Sequence, residues 1–247
     1  MIDTVTIDFW GTLLSDTPEN MERAKALRLE GIGMVLARSG HRITSQGLTR
    51  AYEASGQAMA RRWRENRDWT IREQVSVFLN SLSPDLAAQL DNDTLKLVEE
   101  AYTTPALSFP PALSPGVREA VTALHDAGLT LCVISNSGRT PGLILRKLLK
   151  RYDLLGRFTV VTFSDELGYR KPHPEIFQHT LERAGRELHR AVHIGDDAEA
   201  DVGGAKGIGM RAVYYAPNGD PHPTSLTPDA TLRHFAELPD VLQALDP

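Results

Sequence analysis

The spacing of apolar and polar positions changes along this chain, and the change divides it. Residues 4–9, TVTIDF, read as a short strand favoured by the β-branched Val5 and Ile7, with Gly11 marking the turn that follows. From there the spacing becomes helical. Residues 19–38 predict a helix with apolar positions at Met21, Ala24, Leu27 and Met34, weakened in its middle by Gly31 and Gly33. A second helix is expected over roughly 45–67. A third opens at Thr70, which forms a capping box with Glu73 ahead of Val75, Phe78 and Leu79. Ser83-Pro84 offers a cap and a first-turn proline for a fourth, running to about residue 103.

Almost no strand pattern occurs between 17 and 105, and the three prolines of 108–115 mark a return linker. Beyond it, helices and strands alternate. Helices are expected at 115–127, 141–150, 173–185, 198–207 and 235–245, and strands at 129–134, 159–163, 190–194, around Val213-Tyr214 and at 230–232. Apolar strands separated by helices of this length give an α/β fold with a parallel sheet covered on both faces. The expected division is a core of residues 1–16 and 108–247 with a helical insertion at 17–107.

Composition adds few constraints. The 247 residues include 27 Lys and Arg against 32 Asp and Glu, a net charge of −5 that gives no reason to expect a nucleic-acid partner. No apolar run is long enough for a bilayer, and MIDTVTIDFWG lacks the basic, then apolar, build of a secretory signal, so no membrane partner is expected. Cys132, the one cysteine, lies in the apolar strand LTLCVIS and is expected to be buried; with no internal disulfide possible, the expected compartment is the cytoplasm.

The chemistry lies just after the strands. Asp8 follows the first, Ser135-Asn136 the strand ending at Ile134, Lys171 the one ending at Phe163, and Asp196-Asp197 the one ending at Ile194. Right-handed crossovers bring such strand ends to a common edge. There a carboxylate can attack, an ammonium can hold the electrophilic group, and Mg²⁺ can neutralise developing charge. Thr12 and Ser135 can donate to an anion, Gly11 permits close backbone approach, and Pro172 biases Lys171 toward an extended conformation. The acids of HIGDDAEAD suit a hard cation, with Asp196 the first ligand candidate, Asp197 direct or through water, and Asp201 a support for the loop, Lys171 or a metal-bound water.

In order, DFWGTLL, VISNS, GYRKPHPEIF and HIGDDAEAD resemble the four motifs of the haloacid dehalogenase superfamily. The resemblance implies a Rossmann-like core with an inserted α-helical cap, and Asp8 as covalent nucleophile. It implies that Ser135 and the adjacent backbone bind the transferred group, which the donors of Asn136 and Thr12 and the backbone of Gly11 are also expected to face, with Lys171 as the motif lysine. It also implies Mg²⁺ at Asp8, the carbonyl of Trp10, Asp196 and Asp197. Phosphatases of that superfamily commonly carry a second acid two places after the nucleophile; here Trp10 stands there, and indole cannot deliver and recover the proton.

The expected activity is therefore Mg²⁺-dependent phosphoryl hydrolysis or transfer on a small phosphorylated metabolite. Two alternatives stay open. One is a metal-independent 2-haloacid dehalogenase, whose relatives place an aromatic residue at the Trp10 position, with Arg38 or Arg42 holding the acid. The other is a noncatalytic binding protein. Arg61, Arg62, Arg64 and Arg67 around Trp63 and Trp69 are expected to form a solvated, salt-bridged surface with the neighbouring acids. His193 is expected to be packed, and homo-oligomerisation is open.

Overall fold

The computed structural model describes residues 1–219 and 227–246, so most of the proline-rich segment 217–228 lies outside the described residues. β1 (Thr4–Ile7) is buried along its whole length. It leads to β2 (Leu14–Ser15), which pairs with the later β3 (Ala112–Leu113) in a two-stranded antiparallel ribbon that the prolines of the linker had masked. Between them lie six helices: α1 (Pro18–Arg38), α2 (Ser45–Trp63), α3 (Ile71–Leu82), α4 (Leu86–Gln89), α5 (Asn92–Thr103) and α6 (Pro105–Ser108).

Local signals explain most of these boundaries. Thr70 and Glu73 form the capping box of α3, and Thr17 and Thr44 cap α1 and α2 with their hydroxyls. Three expectations fail. Ser83-Pro84 does not open a long helix: Ser83 is extended and Asp85 is left-handed at φ +58°, so the chain forms only the short α4, breaks again at the extended Leu90 and restarts at α5, capped by Asp91. α2 stops at Trp63 because residues 66–68 leave it to pair with 168–170, with Asp68 N–H on Gly168 O at 3.0 Å and Arg170 N–H on Asn66 O at 3.0 Å. The buried stripe of α1 is Ala24, Arg28, Ile32 and Leu36, whereas Met21 and Met34 are 53% and 51% exposed. A strict four-residue spacing with an arginine inside it defines that face.

After β3 come α7 (Val117–Asp126), β4 (Thr130–Ser135), α8 (Gly142–Arg151), β5 (Val160–Phe163), α9 (Ser164–Leu167), α10 (Pro174–Ala184), β6 (Ala191–Gly195), α11 (Gly204–Gly207), β7 (Arg211–Tyr215), β8 (Ala230–Leu232) and α12 (Leu238–Ala244). Six strands form one parallel sheet in the order β5-β4-β1-β6-β7-β8. It is a Rossmann-like α/β core with helical insertions. Ile7, Val133, Ile194 and Leu145 belong to one apolar cluster, and Ile134, Phe177 and Ala212 to a second. The inserted helices hold their own, centred on Ile32, Phe78, Val98 and Tyr102. Cys132 is buried in β4, and burial pushes its thiol up to about 11. No described helix is long and apolar enough to cross a membrane.

Candidate active site

The chain leaves β1 toward β4 and β5 on one side of the sheet and returns to β6 on the other. A crevice forms at such a reversal of strand order, outside the carboxyl ends of the strands. Asp8 follows β1, its N–H donating to Ile194 O at 2.9 Å; Ser135 ends β4, and Asp196 follows Gly195 at the end of β6.

Lys171 enters from the segment after α9. Its Nζ donates to Asp8 Oδ1 at 2.5 Å, Asp201 Oδ1 at 2.6 Å and Ile134 O at 2.8 Å. Those contacts engage all the donors of an ammonium. The lysine therefore holds the Asp8 carboxylate in place, with no N–H left over for a ligand in this arrangement. Its backbone is fixed in turn by Asn136, whose amide accepts from Lys171 N–H at 2.9 Å and donates to Lys171 O at 3.1 Å. Asn136 was expected to bind the transferred group; its side chain instead braces the lysine.

The third acid is Asp201. A wide turn, Ala198–Gly203, replaces the start of the expected helix and swings Asp201 back under the strand end. Gly195 makes this possible, since a Cβ there would stand 2.1 Å from Asp201 Cγ. Asp201 Oδ1 also lies 2.8 Å from His193 Nε2, and Oδ2 accepts from Asp197 N–H at 3.0 Å. His193 is fully buried, with Nδ1 2.8 Å from Thr6 Oγ1. Asp197 itself caps the turn, accepting from Glu199 and Ala200 N–H at 2.9 and 2.8 Å. It borders the crevice, with Oδ1 taken by the cap and the carboxylate outside the acidic cluster of Asp8, Asp196 and Asp201.

One carboxylate oxygen from each of Asp8, Asp196 and Asp201 lies within 4.8 Å of the others. When all three are ionised, one ammonium leaves the group at 3 − 1 negative charges, a net −2. Burial, helped by Asp201 and Asp196, raises Asp8 to about 7 against the pull of Lys171. Burial also raises Asp196. Burial works to raise Asp201 too, but Lys171 and His193 overcome it and hold that carboxyl well below the usual range. Lys171 is raised, because Asp201 and Asp8 outweigh its burial. Burial lowers His193, keeping the imidazole neutral at pH 7.

Two more expected residues are placed differently from the sequence reading. Thr12 donates its hydroxyl to Asp196 Oδ1 at 3.0 Å, so that side chain orients an acid and does not point a free donor at an anion. Gly11 has φ +74°, and a Cβ there would stand 2.2 Å from Asp196 Oδ2, so its backbone lies against that carboxylate. Ser135 ends β4 next to Asn136, and its buried hydroxyl has no hydrogen-bond partner among the described residues. A buried, unused donor is costly unless something else takes its hydrogen bond.

The crevice has a volume of about 210 Å³. Trp10, Asn136 and Arg170 line it and also line a cavity of about 380 Å³ under the inserted helices, so the two adjoin. Trp10 stands edge-on to Phe9, with ring centroids 5.0 Å apart. Arg28, Tyr52, Trp63 and Arg139 also face the larger cavity. Arg38 and Arg42 are exposed at and beyond the end of α1 and border neither space. Arg28 escaped the sequence reading, although a charge inside an apolar stripe was its signal. Of the expected arginine surface, Arg62 pairs with Glu65 at 3.3 Å and Arg67 lies 4.0 Å over Tyr169.

A model of haloacid dehalogenase-like hydrolases matches residues 2–209. The chain belongs to that family. Among relatives of this haloacid dehalogenase-like hydrolase, haloacid dehalogenase-like hydrolase domain-containing protein 3 of Xenopus laevis is 35% identical over 132 residues, covering 53% of this chain and 52% of the relative. The phosphoglycolate phosphatase of Mesorhizobium japonicum is 33% identical over 147 residues, covering 58% and 62%. The chain thus spans between half and two thirds of the length of these relatives. Among solved structures, a 2-haloacid dehalogenase from Pseudomonas syringae pv. Tomato superposes with a TM-score of 0.75 at 25% identity, covering 99% of this chain and all of that one.

The acidic cluster of this hydrolase can be tested against a metal by its donors. The set is all oxygen and carries excess negative charge, which fits a hard divalent cation such as Mg²⁺. Asp201 has both oxygens engaged, whereas Asp8 and Asp196 each keep Oδ2 outside the contacts described. Those two are the better placed to hold it.

Proposed function

We propose that this hydrolase cleaves the phosphate from small phosphorylated metabolites, with Asp8 as nucleophile and with Mg²⁺ held by Asp8, Asp196 and the carbonyl of Trp10. The observation that carries the reading is Asp196 beside Asp8. A second acid raises the cost of ionising the nucleophile and serves displacement of a halide poorly. It would serve phosphoryl transfer well, since a cation held by Asp8 and Asp196 would offset that charge and the charge on the phosphoryl oxygens. Similarity to a phosphoglycolate phosphatase supports the same reading.

Lys171 positions the Asp8 carboxylate, one oxygen of which attacks phosphorus in line while the other would face the cation. The bond from that oxygen to phosphorus forms as the bond from phosphorus to the leaving oxygen breaks. Ser135 donates its unused hydroxyl to the transferred group. Water then attacks the phosphorus of the aspartyl-phosphate and returns Asp8 as a carboxylate. Trp10 supplies no proton to the leaving oxygen, and that absence costs about 10²–10⁴-fold unless the substrate or a good leaving group compensates.

A second reading rests on Trp10 together with the whole-length likeness to a 2-haloacid dehalogenase. Asp8 would then displace halide from carbon, and water would cleave the resulting ester. One experiment separates them: phosphate-ester and 2-haloacid panels, each assayed with EDTA and with added Mg²⁺. Mg²⁺-dependent phosphate release that disappears in Asp8→Asn supports the proposal. Metal-independent halide release overturns it. Tight metabolite binding with neither product points to a noncatalytic protein.

A further inference from the structure

Two guanidinium groups meet above the site without a counter-charge. Arg28, from α1, is only 4% exposed. Arg139, from the segment after β4, is half-buried. Both line the 380 Å³ cavity next to the Asp8 crevice. A buried guanidinium is normally paired with a carboxylate. Arg170, on the same cavity, obeys that rule, with Nη1 2.8 Å from Asp68 Oδ2. Arg28 and Arg139 do not: among the described residues, no carboxylate lies within ion-pair distance of either.

What holds them is neutral. Arg28 Nε donates to Tyr102 O at 2.6 Å, and Nη1 lies 3.5 Å from Tyr52 Oη. Arg139 Nη1 donates to Tyr102 Oη at 2.5 Å, and Nη2 to Tyr52 O at 2.8 Å and Ser55 Oγ at 3.2 Å. The guanidinium of Arg139 also stacks 3.9 Å from the Tyr52 ring centre. A guanidinium carries five N–H donors, so Arg28 keeps three and Arg139 two beyond these contacts. Among the described residues Asp16 is the one carboxylate on the cavity wall, and its Oδ1 accepts from Thr17 N–H at 2.9 Å. The wall therefore carries a net positive charge with unused donors, fixed in place by two tyrosines.

We propose that Arg28 and Arg139 together bind a second anionic group on the substrate, a carboxylate or a second phosphoryl group at the end opposite the one held at Asp8. The proposal rests on the phosphohydrolase reading for the near end only. It narrows the substrate class to short phosphomonoesters with a distal anion. A volume of about 380 Å³, at the small end of ligand cavities (about 300–1,000 Å³), limits the length between the two groups. The pair also spans the inserted helices and the core, so a bound anion would tie one to the other.

The test measures binding, so it does not depend on turnover. Three unreactive phosphonates of equal chain length, ending in carboxylate, phosphonate or hydroxyl, are titrated calorimetrically into the wild-type protein and into Arg139→Gln, Arg28→Met and Tyr102→Phe. The wild type is expected to prefer at least one charged end over hydroxyl by about tenfold to a hundredfold. That preference is expected to fall below about threefold in Arg28→Met and Arg139→Gln, and to weaken in Tyr102→Phe, which removes only a phenol that orients Arg139. Carboxylate and phosphonate ends show which source of the anion the pair prefers. Thermal melts of each variant separate lost binding from lost folding, and Arg139→Gln, at the less buried site, decides the case if Arg28→Met fails to fold. A wild-type preference near one, or a preference retained in Arg139→Gln, overturns the proposal. A charged-end preference that depends on both arginines in a protein with no phosphatase activity keeps this inference and rejects the phosphohydrolase reading.

Discussion

Lys171 Nζ and Asp8 Oδ1 stand 2.5 Å apart at the buried end of the central strand, and Asp201 holds the same ammonium from the other side at 2.6 Å. The lysine is the sole cation in direct contact with these acids among the described residues. Lys171→Met should therefore do more than release Asp8. It leaves two buried carboxyls without their cation, a loss of about 3–5 kcal/mol for a broken buried pair. Urea denaturation at pH 7.5 checks the size, and a loss under 1 kcal/mol would show that the acids accept a proton or water in its place.

The pH dependence of the metal-free protein should carry the signature of Asp8. Its folded value, about 7, lies above the ordinary 3.8, so the folded state binds more protons than the unfolded state between those limits. This contribution to stability is present at low pH and is lost as pH rises toward 7. His193, lowered from 6.5 by burial, slopes the opposite way below pH 6.5. Comparing wild type with Asp8→Asn in EDTA isolates the Asp8 part: the variant should gain stability relative to wild type from pH 5 to pH 8. Parallel curves would contradict it. By the same sign, Mg²⁺ should bind more tightly at pH 8 than at pH 6, since proton and cation compete for Asp8.

Ser135 tests the difference between a structural and a binding hydroxyl. It is buried with no partner among the described residues, so Ser135→Ala removes no hydrogen bond seen among them. Stability should change by less than about 0.5 kcal/mol or rise slightly, while phosphate-ester turnover falls by about tenfold. A large loss of stability with unchanged turnover would assign the hydroxyl to the fold.

Trp10→Asp places a carboxyl where the proton donor is missing. If phosphoryl chemistry is limited there, turnover of esters with poor leaving groups should rise by about 10²-fold, with less effect on good leaving groups. The edge-on contact with Phe9 at 5.0 Å is lost, so a lower melting temperature should accompany the gain. No gain for poor leaving groups would mean the protein already obtains that proton elsewhere.

Gly11→Ala probes the backbone beside Asp196. The added Cβ meets Asp196 Oδ2 at 2.2 Å and strains a φ of +74°, so Asp196 must move. Mg²⁺ affinity, measured by calorimetry, should drop by at least tenfold. Unchanged affinity would remove Asp196 from the proposed metal site.

The parallel α/β core was legible in the chain, as were the strand ends that carry Asp8, Ser135 and Asp196, with Lys171 further on, past β5 and α9. Those signals are local: a two-residue period with β-branched residues makes a strand, and a polar residue straight after an apolar run marks its end. The capping box at Thr70 and Glu73 was legible for the same reason. Tertiary structure decided what depends on contacts between distant segments. The wide turn after β6 brought Asp201 under Lys171 and left Asp197 capping, a choice that HIGDDAEAD alone leaves open. Packing against α5 buried Arg28 and left Met21 and Met34 exposed, so the buried face keeps Ala24 from the expected one but turns away from both methionines. The meeting of Arg28 with Arg139 over Tyr52 and Tyr102 has no local signature, because it exists only once the inserted helices lie over the sheet edge.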